Sequence, residues 1–310
     1  MQKSAEISAR FWNQPDKGER EAAREGTFID DIVQKSHIEK ALRQNLDSIR
    51  TVFDGGAGSG RFSLLLAELG LKVTHFDISA PMIEKAKALA AERGLLGNIA
   101  FVQGSLEDLS AYADSAFDLV VSFDAPVSYT WPHQEKAIGE LVRIAKKRVM
   151  LSVSSRLGAL PYLANPLQKH QFFLDPNTAD GWVQWCMAHR EELAASFAFQ
   201  KGPCDTMLQS GLMGSPDEIE AAFGRGEAPW PVSYHFMPDE LARILEGFGV
   251  KNIRLAGPGA FARTIPNELL VKIMKDPAQR ADFLEFCYGY DQNPYVCGMG
   301  KDNLLAIGEI

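Results

Sequence analysis

The chain has 310 residues, 46% hydrophobic and 23% charged, with 32 basic against 40 acidic residues and a net charge of -8. That balance fits a folded α/β protein with room for an addition. It argues against a nucleic-acid or polybasic membrane partner, because the longest basic run is Lys146-Lys147-Arg148, which suits a helix end. Cys186, Cys204, Cys287 and Cys297 have no C-x-x-C spacing, and the six histidines do not fall at metal-ligand intervals beside them. No metal is expected. The opening Met1-Gln2-Lys3-Ser4-Ala5-Glu6 lacks a signal-peptide core and no apolar run reaches membrane-spanning length, so the expectation is a cytoplasmic chain with free thiols.

Ser4 to Asn13 reads as a short amphipathic helix. Thr27 to Leu46 reads as a longer one, with Phe28, Ile29, Ile32, Val33, Ile38, Ala41 and Leu42 on a broad stripe. Thr51-Val52-Phe53 then ends a buried strand, and Arg61 to Leu69 forms a helix packed on it through Phe62, Leu65, Leu66 and Leu69. Between them lies Asp54-Gly55-Gly56-Ala57-Gly58-Ser59-Gly60, where glycines permit unusual backbone angles and close ligand approach. A dinucleotide fingerprint fails on spacing: from Gly56 its third glycine falls on Arg61, and from Gly55 its second falls on Ala57. A P-loop fails because Arg61-Phe62 follows Gly60 in place of lysine and a hydroxyl.

What remains, Asp54-x-Gly56-x-Gly58-x-Gly60, resembles the first motif of the class I S-adenosylmethionine (SAM) dependent methyltransferases. Downstream residues strengthen the resemblance. Lys72-Val73-Thr74-His75-Phe76-Asp77 reads as a second strand ending in an acid, at about the spacing where a βαβ unit meets ribose hydroxyls. Ser79 then caps a helix with Pro81 in its first turn, and Asp77-Ile78-Ser79-x-x-Met82-Ile83 is a familiar string in this family. Ile99 to Gln103 resembles the third strand, followed by Gly104-Ser105-Leu106-Glu107-Asp108-Leu109. The position after Gly104 is commonly an aspartate in the family; Ser105 departs from that, with Glu107 and Asp108 as alternative acceptors for the adenine amino group. Phe117 to Asp124 resembles the fourth strand and Val149 to Val153 the fifth.

The resemblance implies a Rossmann-like α/β fold: a mostly parallel seven-stranded sheet with helices on both faces, plus N-terminal helices and a largely helical insertion. It divides the chain into a leading helical lid (1–49), a SAM-binding core (50–155), an insertion or cap (156–233) and a completion of the core (234–310) with a helical insertion at 258–302. The cap is rich in aromatics and punctuated by Pro161, Pro166, Pro176, Gly202-Pro203 and Pro229-Trp230-Pro231, with helices expected near Asp180 to Phe197 and Pro216 to Phe223. Beyond it, helices are expected over Pro238 to Phe248, Asn267 to Met274 and Pro277 to Tyr288, and strands over Asn252 to Ala256 and Asn303 to Gly308.

Cofactor contacts implied by the resemblance are Asp54, Gly56, Gly58, Gly60, Asp77, Ile78, Met82, Ser105, Leu106 and Phe123, with SAM as cofactor and S-adenosylhomocysteine (SAH) as product. Leading helices often lie over the cofactor in this family, so Trp12, Lys35 and His37 are candidate lid contacts, with plain packing the equal alternative. The acceptor belongs where Asp124-Ala125-Pro126-Val127-Ser128-Tyr129 leaves the fourth strand, and Val127 breaks the signature of base amino-group methylation. His133 is the candidate general base by its titration range, Tyr129 an orienting group and Asp124 a base or an amino-group partner. His133 also suits an exposed helix start. Trp182, Trp185, Cys186 and His189, at helical spacing, read as a core stripe more than as an aromatic lid for a cation; Tyr162, His170, Phe172 and Phe173 share that alternative. Cys204 is expected in a loop.

The expected activity is methyl transfer from SAM to a small molecule, by a monomer or homodimer. A catalytically silent SAM-binding protein of the same fold is the alternative, and aminopropyl transfer is disfavoured because no carboxylates cluster after the fourth strand.

Overall fold

The computed structural model describes residues 3–23, 28–164, 174, 184–185, 188–300 and 303–310. Nine strands are present among them: β1 (Thr51–Gly55), β2 (Lys72–Asp77), β3 (Ile99–Gln103), β4 (Phe117–Ser122), β5 (Ala145–Val153), β6 (Leu212–Met213), β7 (Ser233–Tyr234), β8 (Lys251–Ala256) and β9 (Leu304–Glu309). Seven form one sheet in the order β3-β2-β1-β4-β5-β9-β8, while β6 and β7 pair separately. Strands β1 to β5 run parallel, and β9 enters antiparallel between β5 and β8. The order reverses at β1/β4, which opens a crevice at the carboxyl ends of these strands.

The helices are α1 (Lys3–Trp12), α2 (Lys17–Ala23), α3 (Ile29–Arg43), α4 (Arg61–Glu68), α5 (Ala80–Glu92), α6 (Gln134–Ile144), α7 (Arg156–Ala164), α8 (Arg190–Ser196), α9 (Lys201–Ser210), α10 (Pro216–Gly224), α11 (Pro238–Gly247), α12 (Asn267–Lys275) and α13 (Pro277–Tyr290). Two buried clusters cover the two faces of the sheet. One joins Ile38, Leu42, Phe62, Leu66, Leu119, Val121 and Phe123; the other joins Phe53, Phe76, Ile138, Leu141, Val149, Leu151 and Phe236. Val52 and Phe53, neighbours on β1, thus serve opposite faces, as strand alternation requires.

A third cluster gives the late addition its place. Ile29, Ile32 and Val33 of α3 pack with Ala262, Leu270, Met274, Phe283 and Cys287. Tyr288 donates to Gln44 at 2.5 Å, and His37 lies 3.8 Å from Asp291, whose carboxylate also accepts from the backbone of Gly259 and Phe261. The segment between β8 and β9 therefore backs α3, and α3 forms one wall of the crevice described below.

The cap departs from its sequence reading at several points. Residues 156–164 form α7 with Pro161 inside it, and residues 201–210 form α9 with Pro203 at the third position, where a missing N–H costs little. Cys204 accordingly sits in a helix and not in a loop. Of the residues read as a core stripe, Trp185 is 44% exposed and stacks on His189 with centroids 4.4 Å apart. That pair lies at the surface. His170, Phe172, Phe173, Trp182, Cys186 and the side chain of Tyr162 lie outside the described residues.

Candidate active site

Beneath the carboxyl ends of β1, β2 and β4 lies a cavity of about 320 Å³, within the range of small-molecule sites. Its floor is the glycine loop. Gly56, Gly58 and Gly60 have φ of +72°, +56° and +93°, in the left-handed region that favours glycine. A Cβ on Gly56 would stand 2.2 Å from the Pro126 Cβ, so the β1 and β4 loops touch there only because that side chain is absent.

Asp77 ends β2 and locks the loop to it. Its Oδ2 accepts from the Gly58 backbone N–H at 2.7 Å, and its Oδ1 accepts from Ser79 N–H at 2.8 Å. Burial pushes its pKa up to about 6 against the pull of these donors. Asp54 is buried as well, and burial together with the charges of Asp77 and Asp124 raises it to about 7. The Ser63 hydroxyl donates to Asp54 Oδ2 at 2.6 Å and lies 3.0 Å from His75 Nδ1. Burial holds His75 down at about 3, so this histidine stays neutral and serves the loop as a hydrogen-bonding strut.

All ten residues expected to contact the cofactor are positioned around this space: Gly60 is the N-cap of α4 in the loop itself, and the other nine line the cavity. Met82 is held by α5, whose start is capped by Ser79 accepting from Met82 N–H. Ser105 has a local task, since its hydroxyl accepts from the Glu107 backbone N–H at 3.3 Å. Glu107 also lines the cavity and is 4% exposed; Asp108, by contrast, is turned to Ser110 outside it.

At the end of β4, Asp124 and Ala125 both adopt φ of +63°, an uncommon arrangement for two consecutive residues with side chains. Serine hydroxyls from β5 and the following turn hold this corner: Asp124 N–H donates to Ser152 Oγ, and Ser154 N–H donates to Ser128 Oγ, each at 2.9 Å. The Asp124 carboxylate faces the cavity with Arg61 3.3 Å away. Tyr129 lines the cavity too. His133 does not; it is the residue preceding α6, after the turn over Pro126–Thr130.

Helix α1 lies across the opening. Ser4 donates to Glu107 at 2.8 Å, Ser8 donates to the Tyr129 carbonyl at 3.2 Å, and Ser79 donates to the Trp12 carbonyl at 2.8 Å. Trp12, Tyr129 and Trp230 meet edge to face with centroids 5.7 to 6.0 Å apart and form an aromatic wall. Of the three lid candidates, Trp12 thus reaches the cavity. Lys35 pairs with Glu39 and His37 faces Asp291 and Tyr288, both away from it.

Several lining residues carried no signal in the sequence. Asp30, Asp31 and Gln34 come from the first turns of α3, Asn303 from the residue before β9 and His235 from the residue after β7. Asn303 donates to Gln34 at 2.8 Å, and His235 is buried beside Ser233. They converge because β9 inserts beside β5 and because Ser155 bridges to Phe236 in parallel. The carboxylates missing after β4 in sequence are in part supplied from α3.

A seven-stranded sheet of this order, with its glycine loop facing an acid at the end of the adjacent strand, defines a Rossmann-like methyltransferase fold. Residues 52–148 match the family model described as "Methyltransferase domain", so the core of the chain is that of a SAM-dependent methyltransferase. It is 33% identical over 70 residues to the tRNA 5-carboxymethoxyuridine methyltransferase of Escherichia coli, covering 23% of this chain and 27% of that protein. It is 30% identical over 165 residues to the chloroplastic magnesium protoporphyrin IX methyltransferase of Arabidopsis thaliana, covering 49% and 51%. The chain therefore spans about a quarter of the first relative and half of the second. The structure of magnesium protoporphyrin IX methyltransferase from Synechocystis with bound SAH is similar in fold, with a TM-score of 0.50, 17% identity, and 81% of this chain and 92% of that one covered. No described helix is long and apolar enough to cross a membrane, and no group of three or more potential metal ligands occurs among the described residues.

Proposed function

We propose that this chain binds SAM in the cavity over the glycine loop and transfers its methyl group to a small-molecule acceptor. The observation that carries the reading is Asp77, a buried carboxylate tied to Gly58 N–H with lone pairs left to receive a ribose diol. The fit extends to both sides. Ile78, Met82 and Leu106 offer an apolar slot for a purine, and the glycine loop leaves room for the chain beyond the ribose. Arg61, which lines the cavity beside the glycine loop, suits the carboxylate of an α-amino acid.

When bound, SAM supplies a methyl already activated by its sulfonium centre. The residues of this chain then have three tasks: to hold the acceptor in line, to exclude water and to receive a proton where the acceptor carries one. Helix α1 and the Trp12, Tyr129 and Trp230 wall serve exclusion. Asp124, fixed at a strained corner by Ser152, is the group we assign to orienting the acceptor, with Tyr129 beside it. The cavity of about 320 Å³ and the net charge of -8 favour a small molecule over a nucleic acid, although one relative is named for tRNA.

Isotope-labelled methyl transfer from SAM into a cell extract tests this. Label in the low-molecular-mass fraction supports the proposal; label confined to RNA or protein overturns the small-molecule assignment. Calorimetric binding of SAH with no turnover in any fraction favours a silent SAM-binding protein.

A further inference from the structure

The cavity has a second half that the cofactor reading leaves unused. Past Asp124 its wall crosses the end of β5 at Ser154 and reaches Asn303, which the antiparallel register of β9, with Leu304 opposite Val153, sets close by. Asn303 donates to Gln34 of α3 at 2.8 Å, and Asp30 and Asp31 stand four and three residues before Gln34, on the same face of that helix. All three α3 residues are buried and line the cavity, while Ile29, Ile32 and Val33 turn to the cluster behind. The polar face of α3 thus meets the cavity instead of bulk solvent.

Charge balance decides what that half can take. Among the described residues that line the cavity, Arg61 is the only lysine or arginine, and it lies at the glycine loop, 3.3 Å from Asp124. The other half presents Asp30, Asp31 and Asp124, and Asn303 adds an amide oxygen with no hydrogen-bond partner. An anionic acceptor brings one more negative charge against these carboxylates, at a cost that grows as water is excluded. An ammonium gains from the same wall, and the Trp12, Tyr129 and Trp230 rings add aromatic surface that favours a cation.

We infer that the methyl acceptor is an amine, drawn in as its ammonium by Asp30 and Asp31 and presented to the methyl group beside Asp124. The ammonium first gives one proton to solvent by way of these carboxylates. Its nitrogen lone pair then forms the N–C bond as the C–S bonding pair returns to sulfur, which leaves SAH and a methylated ammonium. The inference rests on the SAM-binding reading above and narrows its acceptor, and the chemistry of the product keeps the two apart.

The experiment is a transfer assay with methyl-labelled SAM, the full chain and the low-molecular-mass fraction of a cell extract. After unreacted SAM is removed by chromatography, the labelled product is expected to bind a cation exchanger at neutral pH and to keep its label in dilute alkali. Label released by alkali as methanol marks a methyl ester, and stable label that passes the exchanger marks a neutral oxygen, sulfur or carbon product; either overturns the amine and leaves the SAM reading intact. No label in any product overturns this inference, and if SAH also fails to bind in calorimetry the SAM reading falls with it. Asp30→Asn and Asp31→Asn are each expected to raise KM for the labelled acceptor by about tenfold or more, as for a hydrogen bond to a charged group, with SAH affinity changed by less than about threefold. An unchanged KM, or an equal loss of SAH affinity, overturns the assignment of these carboxylates to the amine. The wild-type product decides the acceptor class even if neither variant folds.

Discussion

The Gly58 backbone N–H donates to Asp77 Oδ2 at 2.7 Å, so the glycine loop and the acid of the next strand form one unit before any ligand arrives. Replacing Asp77 with alanine removes both the loop's anchor and the acceptor assigned to the ribose. SAH affinity is expected to fall by about tenfold to a hundredfold, on the scale of charge-assisted hydrogen bonds. Titration calorimetry checks this, and near-wild-type affinity would remove the ribose assignment.

Two glycines of that loop should respond differently to one methyl group. In Gly56→Ala the new Cβ meets Pro126 at 2.2 Å and φ is +72°, so the β1 and β4 loops must separate. Both thermal stability and SAH affinity should drop. In Gly58→Ala no atom lies within 4 Å and only the φ of +56° opposes the change, at a cost of about 1 to 2 kcal/mol. Its melting temperature should fall by a few degrees, on the scale expected for that cost. Melting curves with and without SAH separate the two; a larger loss in Gly58→Ala than in Gly56→Ala contradicts the geometry.

The part of this site legible in the sequence was the part made by contiguous residues. Asp54 to Gly60, Asp77 to Met82, and Ser105 with Leu106 each lie at the end of one strand, and period and turn chemistry suffice to bring them to one edge of the sheet. Asp30, Gln34, His235 and Asn303 arrive through contacts between distant segments, namely the backing of α3 by α12 and α13 and the insertion of β9 beside β5. No local pattern announces such meetings. His133 shows the converse: a residue of suitable chemistry near the right strand lies off the cavity lining, after the turn over Pro126–Thr130.

Binding should depend on pH through Asp77 and Asp54. Both are raised by burial, Asp77 to about 6 and Asp54 to about 7, so the ligand-free protein takes up protons here well above the usual carboxylate range. For an acid raised on folding, the stabilising contribution is full below its unfolded value near 4 and is lost as pH rises through 6 to 7. A ligand that needs ionised acceptors has the opposite slope. SAH affinity should therefore weaken by up to about tenfold per pH unit for each carboxylate that must ionise, from about pH 7 downward for Asp54 and from about pH 6 for Asp77, while its stabilisation of the melting temperature grows from pH 5 to pH 8. A flat affinity profile across that range would show that neither carboxylate titrates in binding.

Ser63 joins Asp54 at 2.6 Å and His75 at 3.0 Å, and it has one proton to give. With Asp54 ionised, Ser63 donates to it and a Nδ1-protonated His75 donates to Ser63; with Asp54 protonated, the chain of donors can reverse. Ser63→Ala strips Asp54 of this partner and should push its pKa further up, since the hydroxyl is what lowers it. The onset of SAH binding should then move to higher pH, by an amount read from the same calorimetric profile. An unmoved profile would separate Asp54 from the ligand.

The corner at Asp124 is the remaining element to test, because its strain is held by a single hydroxyl from the neighbouring strand. Ser152→Ala leaves the Asp124 N–H without its acceptor and should cost about 1 to 3 kcal/mol of stability if the corner keeps its shape, or allow Asp124 and Ala125 to leave the left-handed region if it does not. The second outcome displaces the Asp124 carboxylate relative to Arg61, and that is the case the kinetics read. SAH affinity, carried largely by Asp77, should change by less than about threefold, whereas single-turnover methyl transfer to the acceptor found in extract should slow by about tenfold or more. His133→Ala, outside the cavity, should leave both unchanged. If His133→Ala slows transfer and Ser152→Ala does not, the acceptor lies beyond the turn over Pro126–Thr130 and the assignment of Asp124 is wrong.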